Sequence, residues 1–89
     1  MDINKLLISG RIISPVRRYE SGKVVFTLAN RDGRFYVEWR RPTWVPEQGG
    51  AVLVNGAVRS RKQGGRDVPS IQAEEISPLR GTNPRLRGR

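Results

Sequence analysis

From Lys5 to Ile76, apolar and β-branched residues alternate with polar ones in short runs, and each run is cut off by Gly, Pro, Asp or Asn. No window holds a helical apolar period for long, so the chain has to bury its apolar side chains by pairing strands. A first strand reads from Lys5 to Ile13, with Leu6, Ile8, Gly10 and Ile12 on one face and Leu7, Ser9, Arg11 and Ile13 on the other. Ser14-Pro15 ends or bends it, because proline cannot donate to a ladder. Glu20-Ser21-Gly22-Lys23 turns the chain into a second strand, Val24 to Asn30. The Asp-Gly of Asn30-Arg31-Asp32-Gly33 is a hairpin signal leading to a third, Arg34 to Arg41. Pro42 to Gly50 is too broken by proline and glycine for a full helix and reads as a loop or single turn. A fourth strand, Ala51 to Arg61, runs into a flexible tip around Gly64-Gly65. A fifth, Val68 to Ile76, is interrupted by Pro69 and is therefore expected at a sheet edge. Five strands in one short chain fit an all-β, Greek-key barrel.

The 89 residues suffice for one domain, expected over residues 1–79, with residues 80–89 a flexible basic tail. Only 36% of residues are hydrophobic, so the core is thin, and the first strand is apolar on both faces. A barrel interior buries one of those faces, which leads us to expect a homodimer or homotetramer. The net charge is +9, and 14 of the 17 cations are arginine, which both forks onto phosphates and stacks on bases. Nucleic acid is the expected partner. With no Cys and no His, thiolate chemistry, disulfides and nearly every zinc site are excluded, and no metal or cofactor is expected. The carboxylates fall mostly at turns or edges, and Glu74 and Glu75, being adjacent, face opposite ways on a strand, so the chain does not read as an enzyme. The N-terminus lacks the layout of a signal peptide and no apolar run approaches membrane-spanning length. The expected location is the cytoplasm, with the nucleoid, and no membrane partner is expected.

Binding a single strand without regard to sequence requires cations spaced along its backbone and flat faces for unpaired bases. The third strand, Arg-Phe-Tyr-Val-Glu-Trp-Arg-Arg, carries both. Trp39, flanked by Arg34, Arg40 and Arg41, is the leading stacking candidate, against the alternative that it fills the core. Phe35 shares its parity and is chosen over Tyr36. Trp44, between two prolines, either stacks or caps an open end of the barrel. Phe26 reads as core and Tyr19 as cover for the first loop. Arg59, Arg61, Lys62 and Arg66 form a basic hairpin able to close over a strand, and Arg11, Arg17 and Arg18 a second cluster near the first loop.

The order of these pieces resembles the bacterial and phage single-stranded DNA-binding proteins. The matching segments are Asn4-Lys5-Leu6-Leu7-Ile8-Ser9-Gly10-Arg11-Ile12, then Pro15-Val16-Arg17-Arg18-Tyr19 with Ser21-Gly22, then Val25-Phe26-Thr27-Leu28-Ala29. They continue with Glu38-Trp39-Arg40, a match that is a further reason for preferring Trp39 as the stacking position, and with Gly50-Ala51-Val52-Leu53-Val54-Asn55-Gly56-Ala57-Val58-Arg59-Ser60-Arg61. The resemblance implies an oligonucleotide-binding (OB) barrel and sequence-tolerant binding of single-stranded DNA in replication, recombination or repair. The chain departs from that family in a shorter segment between the third and fourth strands, in Gln63 where members often place an aromatic, and in an arginine-rich ending where cellular members carry an acidic tip. Gln72-Ala73-Glu74-Glu75-Ile76 is also similar to a sibling, the primosomal replication protein N type. Two other readings therefore stay open: an accessory OB protein that binds single strands and a helicase or its loader among other replication proteins, and a basic RNA-binding OB protein.

Overall fold

The computed structural model describes residues 5–79, apart from the side chains of Arg61 and Gln63. The expected tail, residues 80–89, lies outside the described residues. Six strands follow in chain order: β1 Lys5–Ile12, β2 Arg17–Arg18, β3 Val24–Asn30, β4 Gly33–Trp39, β5 Ala51–Gln63 and β6 Arg66–Pro78. The described residues contain no helix, and the 40–50 connector is irregular, as its prolines and glycines demand.

The sheet runs β1-β5-β6-β4-β3-β2 and closes on itself through a β1–β3 pairing, giving a five-stranded barrel with the short β2 added at one edge. All pairings are antiparallel except β4 with β6, which is parallel over Tyr36↔Ser70 to Trp39↔Ala73. That order, with its one parallel pair, is the topology of an OB barrel. Closure requires β1 to serve two partners. Its first part pairs β5 from Lys5↔Ala57 to Arg11↔Ala51, and its last two residues pair β3 at Arg11↔Ala29 and Ile12↔Leu28. Gly10 permits this, since a Cβ there would lie 2.6 Å from the Ala29 carbonyl oxygen.

The interior follows the alternation of the strands. Val24, Phe26 and Leu28 of β3 register with Trp39, Val37 and Phe35 of β4, so the two apolar faces coincide. Ile12, Val52, Val54, Ile71 and Ile76 complete the buried cluster, with Leu6, Ile8 and Trp44 packed against it. A bulge between Asn55 and Gly56 re-registers β5 against β6. Gly56 sits there against the neighbouring strand, where a Cβ would meet the Gln72 carbonyl oxygen at 2.3 Å.

The fifth sequence segment is not an edge strand as a whole, because β6 lies between β5 and β4. Pro69 nevertheless obeys its rule. It falls one residue before the β4 pairing begins at Ser70, where β6 has only β5 as a partner among the described residues. From there outward the two long strands continue as a two-stranded ribbon, paired from Ser60↔Pro69 to Gln63↔Arg66.

Candidate nucleic-acid interface

Residues facing one another across a sheet share a face, and the register therefore shows what the outside of the barrel presents. One row on the side away from the core reads Arg59, Ser70, Tyr36, Thr27 across β5, β6, β4 and β3, with Arg59 exposed, Tyr36 and Thr27 half-buried and Ser70 buried. A second on the same side reads Gln72, Glu38, Val25, Arg17 across β6, β4, β3 and β2, of which Val25 is buried and Arg17 exposed. Arg34 stands two residues before Tyr36 on the same face, and is exposed. A groove of about 500 Å³ opens on this face, lined by Tyr36, Thr27, Val25, Ser14, Arg17 and Tyr19.

The chain between β1 and β3 forms one wall of the groove and is held locally. The Thr27 amide donates to the Ser14 hydroxyl at 2.9 Å and the Ile13 amide to the Thr27 carbonyl at 2.9 Å. A tight turn follows in which the Gly22 amide donates to the Tyr19 carbonyl at 2.8 Å, with Gly22 at φ 98°. The Lys23 ammonium lies 4.8 Å from the centre of the Tyr19 ring, so one face of that ring carries a cation. Tyr19 remains 42% exposed.

A second concavity, of about 490 Å³, lies beyond β2 and contains Arg18, Gly22, Arg40, Arg41, Thr43 and Trp44. Trp44 is half-buried. Its indole N–H donates to the Ile76 carbonyl at 2.7 Å, which fixes the connector to β6, and its ring meets Trp39 edge-on with centroids 6.1 Å apart.

Several sequence-predicted positions are corrected by these placements. Trp39 is 1% exposed and belongs to the core; no base can reach its ring. Its indole N–H has no hydrogen-bond partner among the described residues. Phe35, on the same inward parity, packs half-buried against the core and is likewise removed as a platform. The parity assigned to the third strand was right, but the face it turns outward is that of Arg34, Tyr36 and Glu38. Tyr36 is thus an outward aromatic that the sequence reading set aside, and Tyr19 lines the groove rather than merely covering a loop. The register signal that would have found Tyr36 is the uninterrupted apolar character of Phe35, Val37 and Trp39, which marks their face as the interior.

The cations divide between sites. Arg11 does not cluster with Arg17 and Arg18: its guanidinium donates to the Gly49 carbonyl at 2.7 Å and fastens the connector to β1. Arg17 lines the groove and Arg18 the second concavity, because adjacent residues on a strand face opposite ways. Arg40 and Arg41 join Arg18 rather than the outer face. On the ribbon, Arg59 and Arg66 are exposed, and Lys62 is ion-paired with Asp67 at 3.2 Å, a surface contact of little energetic weight. Arg61 takes its place in β5 opposite Val68.

The fold and this face together define a single OB barrel with an arginine- and tyrosine-bearing outer surface. No protein-family model matches the chain, and no curated protein matches it. Among solved structures it is similar to the small single-stranded DNA-binding protein from Streptomyces coelicolor, with a TM-score of 0.63 at 20% sequence identity, over 93% of this chain and 100% of that one. The resemblance read from the order of the sequence segments therefore stands at the level of the fold.

Proposed function

We propose that this chain binds single-stranded DNA without regard to sequence, holding it across the outer face of β3 and β4 between the β1–β3 connection and the β5–β6 ribbon. The carrying observation is the row Arg59, Ser70, Tyr36, Thr27 on the side away from the core, which runs beside the groove that Arg17 and Tyr19 wall. This is the region where OB barrels take oligonucleotides, and it combines the two things a single strand needs, aromatic faces for bases and guanidiniums for phosphates. The net charge of +9 favours the encounter. The similar Streptomyces coelicolor protein, described as single-stranded DNA-binding, supports the same reading.

Binding of this kind protects exposed strands during replication, recombination or repair, and needs no catalytic group. The outer face of β1, where Leu7 is 65% exposed, is the surface on which we place self-association into a homo-oligomer. The reading is tested by titrating the protein with fluorescently labelled thymidine homopolymer, uridine homopolymer and a duplex of equal length. Tighter binding of the thymidine strand than of the duplex is expected, with log K falling linearly in log salt at about 0.7 per phosphate contacted. Equal or tighter binding of the duplex refutes it, and a clear preference for uridine transfers the function to RNA.

A further inference from the structure

The second concavity has no role in the binding face just described, yet its lining is unusual for a solvated surface. Arg18, Arg40 and Arg41 converge on it from two separate parts of the chain, and no carboxylate lines it. None of the three guanidiniums is ion-paired among the described residues, and a half-buried indole, Trp44, forms part of its wall. Three unneutralised guanidiniums around one hollow repel one another and are relieved by an anion, and a flat ring beside them suits a base. Position adds a further constraint. β2 is the last strand of the sheet, its neighbour being β3 alone, and its two residues face opposite ways. Arg17 thus points into the outer-face groove and Arg18 into the concavity, with one peptide unit between them.

Resting on the single-strand reading above, we propose that this concavity is a second subsite for the same strand. The strand leaves the outer-face groove, turns over the rim formed by β2, and sets phosphates against Arg18, Arg40 and Arg41 with a base on Trp44. The adjacent arginines hold the backbone on both sides of the rim, so its direction at that point is set by the fold. A short oligonucleotide fills only the outer face. A longer one gains the second subsite, and affinity rises in a step with length.

The two subsites can be told apart because the outer-face groove is lined by tyrosines and no tryptophan, whereas Trp44 lines the second. Thymidine oligomers of increasing length are titrated into the full chain, with anisotropy of the labelled oligomer and tryptophan emission read together. The shortest binders should leave tryptophan emission unchanged, and quenching should set in at the length where affinity steps up. Trp44→Phe should abolish the quenching, since the remaining indole, Trp39, is 1% exposed. The triple variant R18Q/R40Q/R41Q should collapse the ratio of long-strand to short-strand affinity towards one and make the long-strand salt slope shallower by up to about 2, at about 0.7 per contact. R18K/R40K/R41K, which keeps the charge, should recover the slope. A triple glutamine variant that retains the parent's step with length, or quenching already complete with the shortest binder, overturns the second subsite while leaving the outer face intact. Failure of the parent to bind any length overturns the single-strand reading itself.

Discussion

Tyr36→Leu isolates the stacking contribution of the outer face. Leucine keeps most of the apolar bulk covering Thr27 and Ser70, the residues in register with Tyr36, but has no flat π-face. One aromatic ring accommodates one base, and removing such a platform typically costs ~1 to 3 kcal/mol, or about 5- to 150-fold in Kd. Stacking releases no counterions, so the plot of log K against log salt should shift down in parallel with the parent's. Arg59→Gln should do the opposite, lowering the slope by about 0.7 with a loss that shrinks as salt rises. The two positions are separated by Ser70, hence by two strand spacings or ~9.5 Å, far enough for their effects to add unless one nucleotide touches both. The assay is anisotropy of a labelled thymidine homopolymer over a salt series, with thermal unfolding as the check on folding. A folded Tyr36→Leu variant that binds as tightly as the parent would show that the outer face of β4 is not where bases lie.

Trp39→Ala should cost ~3 to 5 kcal/mol of stability by emptying the centre of the barrel, read from denaturant unfolding, and an unchanged midpoint would contradict its burial. Gly56→Ala should destabilise by about 1 to 3 kcal/mol or more, because a Cβ 2.3 Å from the Gln72 carbonyl oxygen forces two backbones apart; a thermal midpoint equal to the parent's refutes that contact. Leu7→Glu should lower the sedimentation-derived mass towards that of one chain without loss of fold, and an unaltered mass would move self-association to another face.

Five of the six strands and most of their boundaries were legible because turn chemistry and alternation agree along this chain, whereas the two-residue β2 and the interior place of β6 in the sheet were not. Val24–Asn30 is found as read, and Gly33 begins β4 at the Asp-Gly turn. The long β5–β6 ribbon was read too short, since Arg66 and Asp67 carry turn-like chemistry but pair with Gln63 and Lys62 before the apolar part of β6 begins. The site was less legible. Alternation assigns residues to two faces but does not say which is outside, and the matching Glu-Trp-Arg segment drew attention to the wrong one. The distribution of the arginines depends on three-dimensional closure: Arg11 is taken up by the Gly49 carbonyl, and Arg40 and Arg41 meet Arg18 only because β2 lies beside the connector.

The place of β2 at the end of the sheet has a mechanical consequence. As the last strand, it makes the rim between groove and concavity about one strand wide, roughly 5 Å. Any polymer occupying both hollows must reverse its course within that distance. Duplex DNA has a persistence length of about 150 base pairs, and even a smooth bend of 40 to 90° over 20 to 30 pairs costs on the order of 1 to 6 kcal/mol. A turn over this rim is far tighter, whereas a single strand rotates about its own backbone bonds and makes it with little resistance. On the proposed path, stiffness would add to base stacking in distinguishing one strand from two.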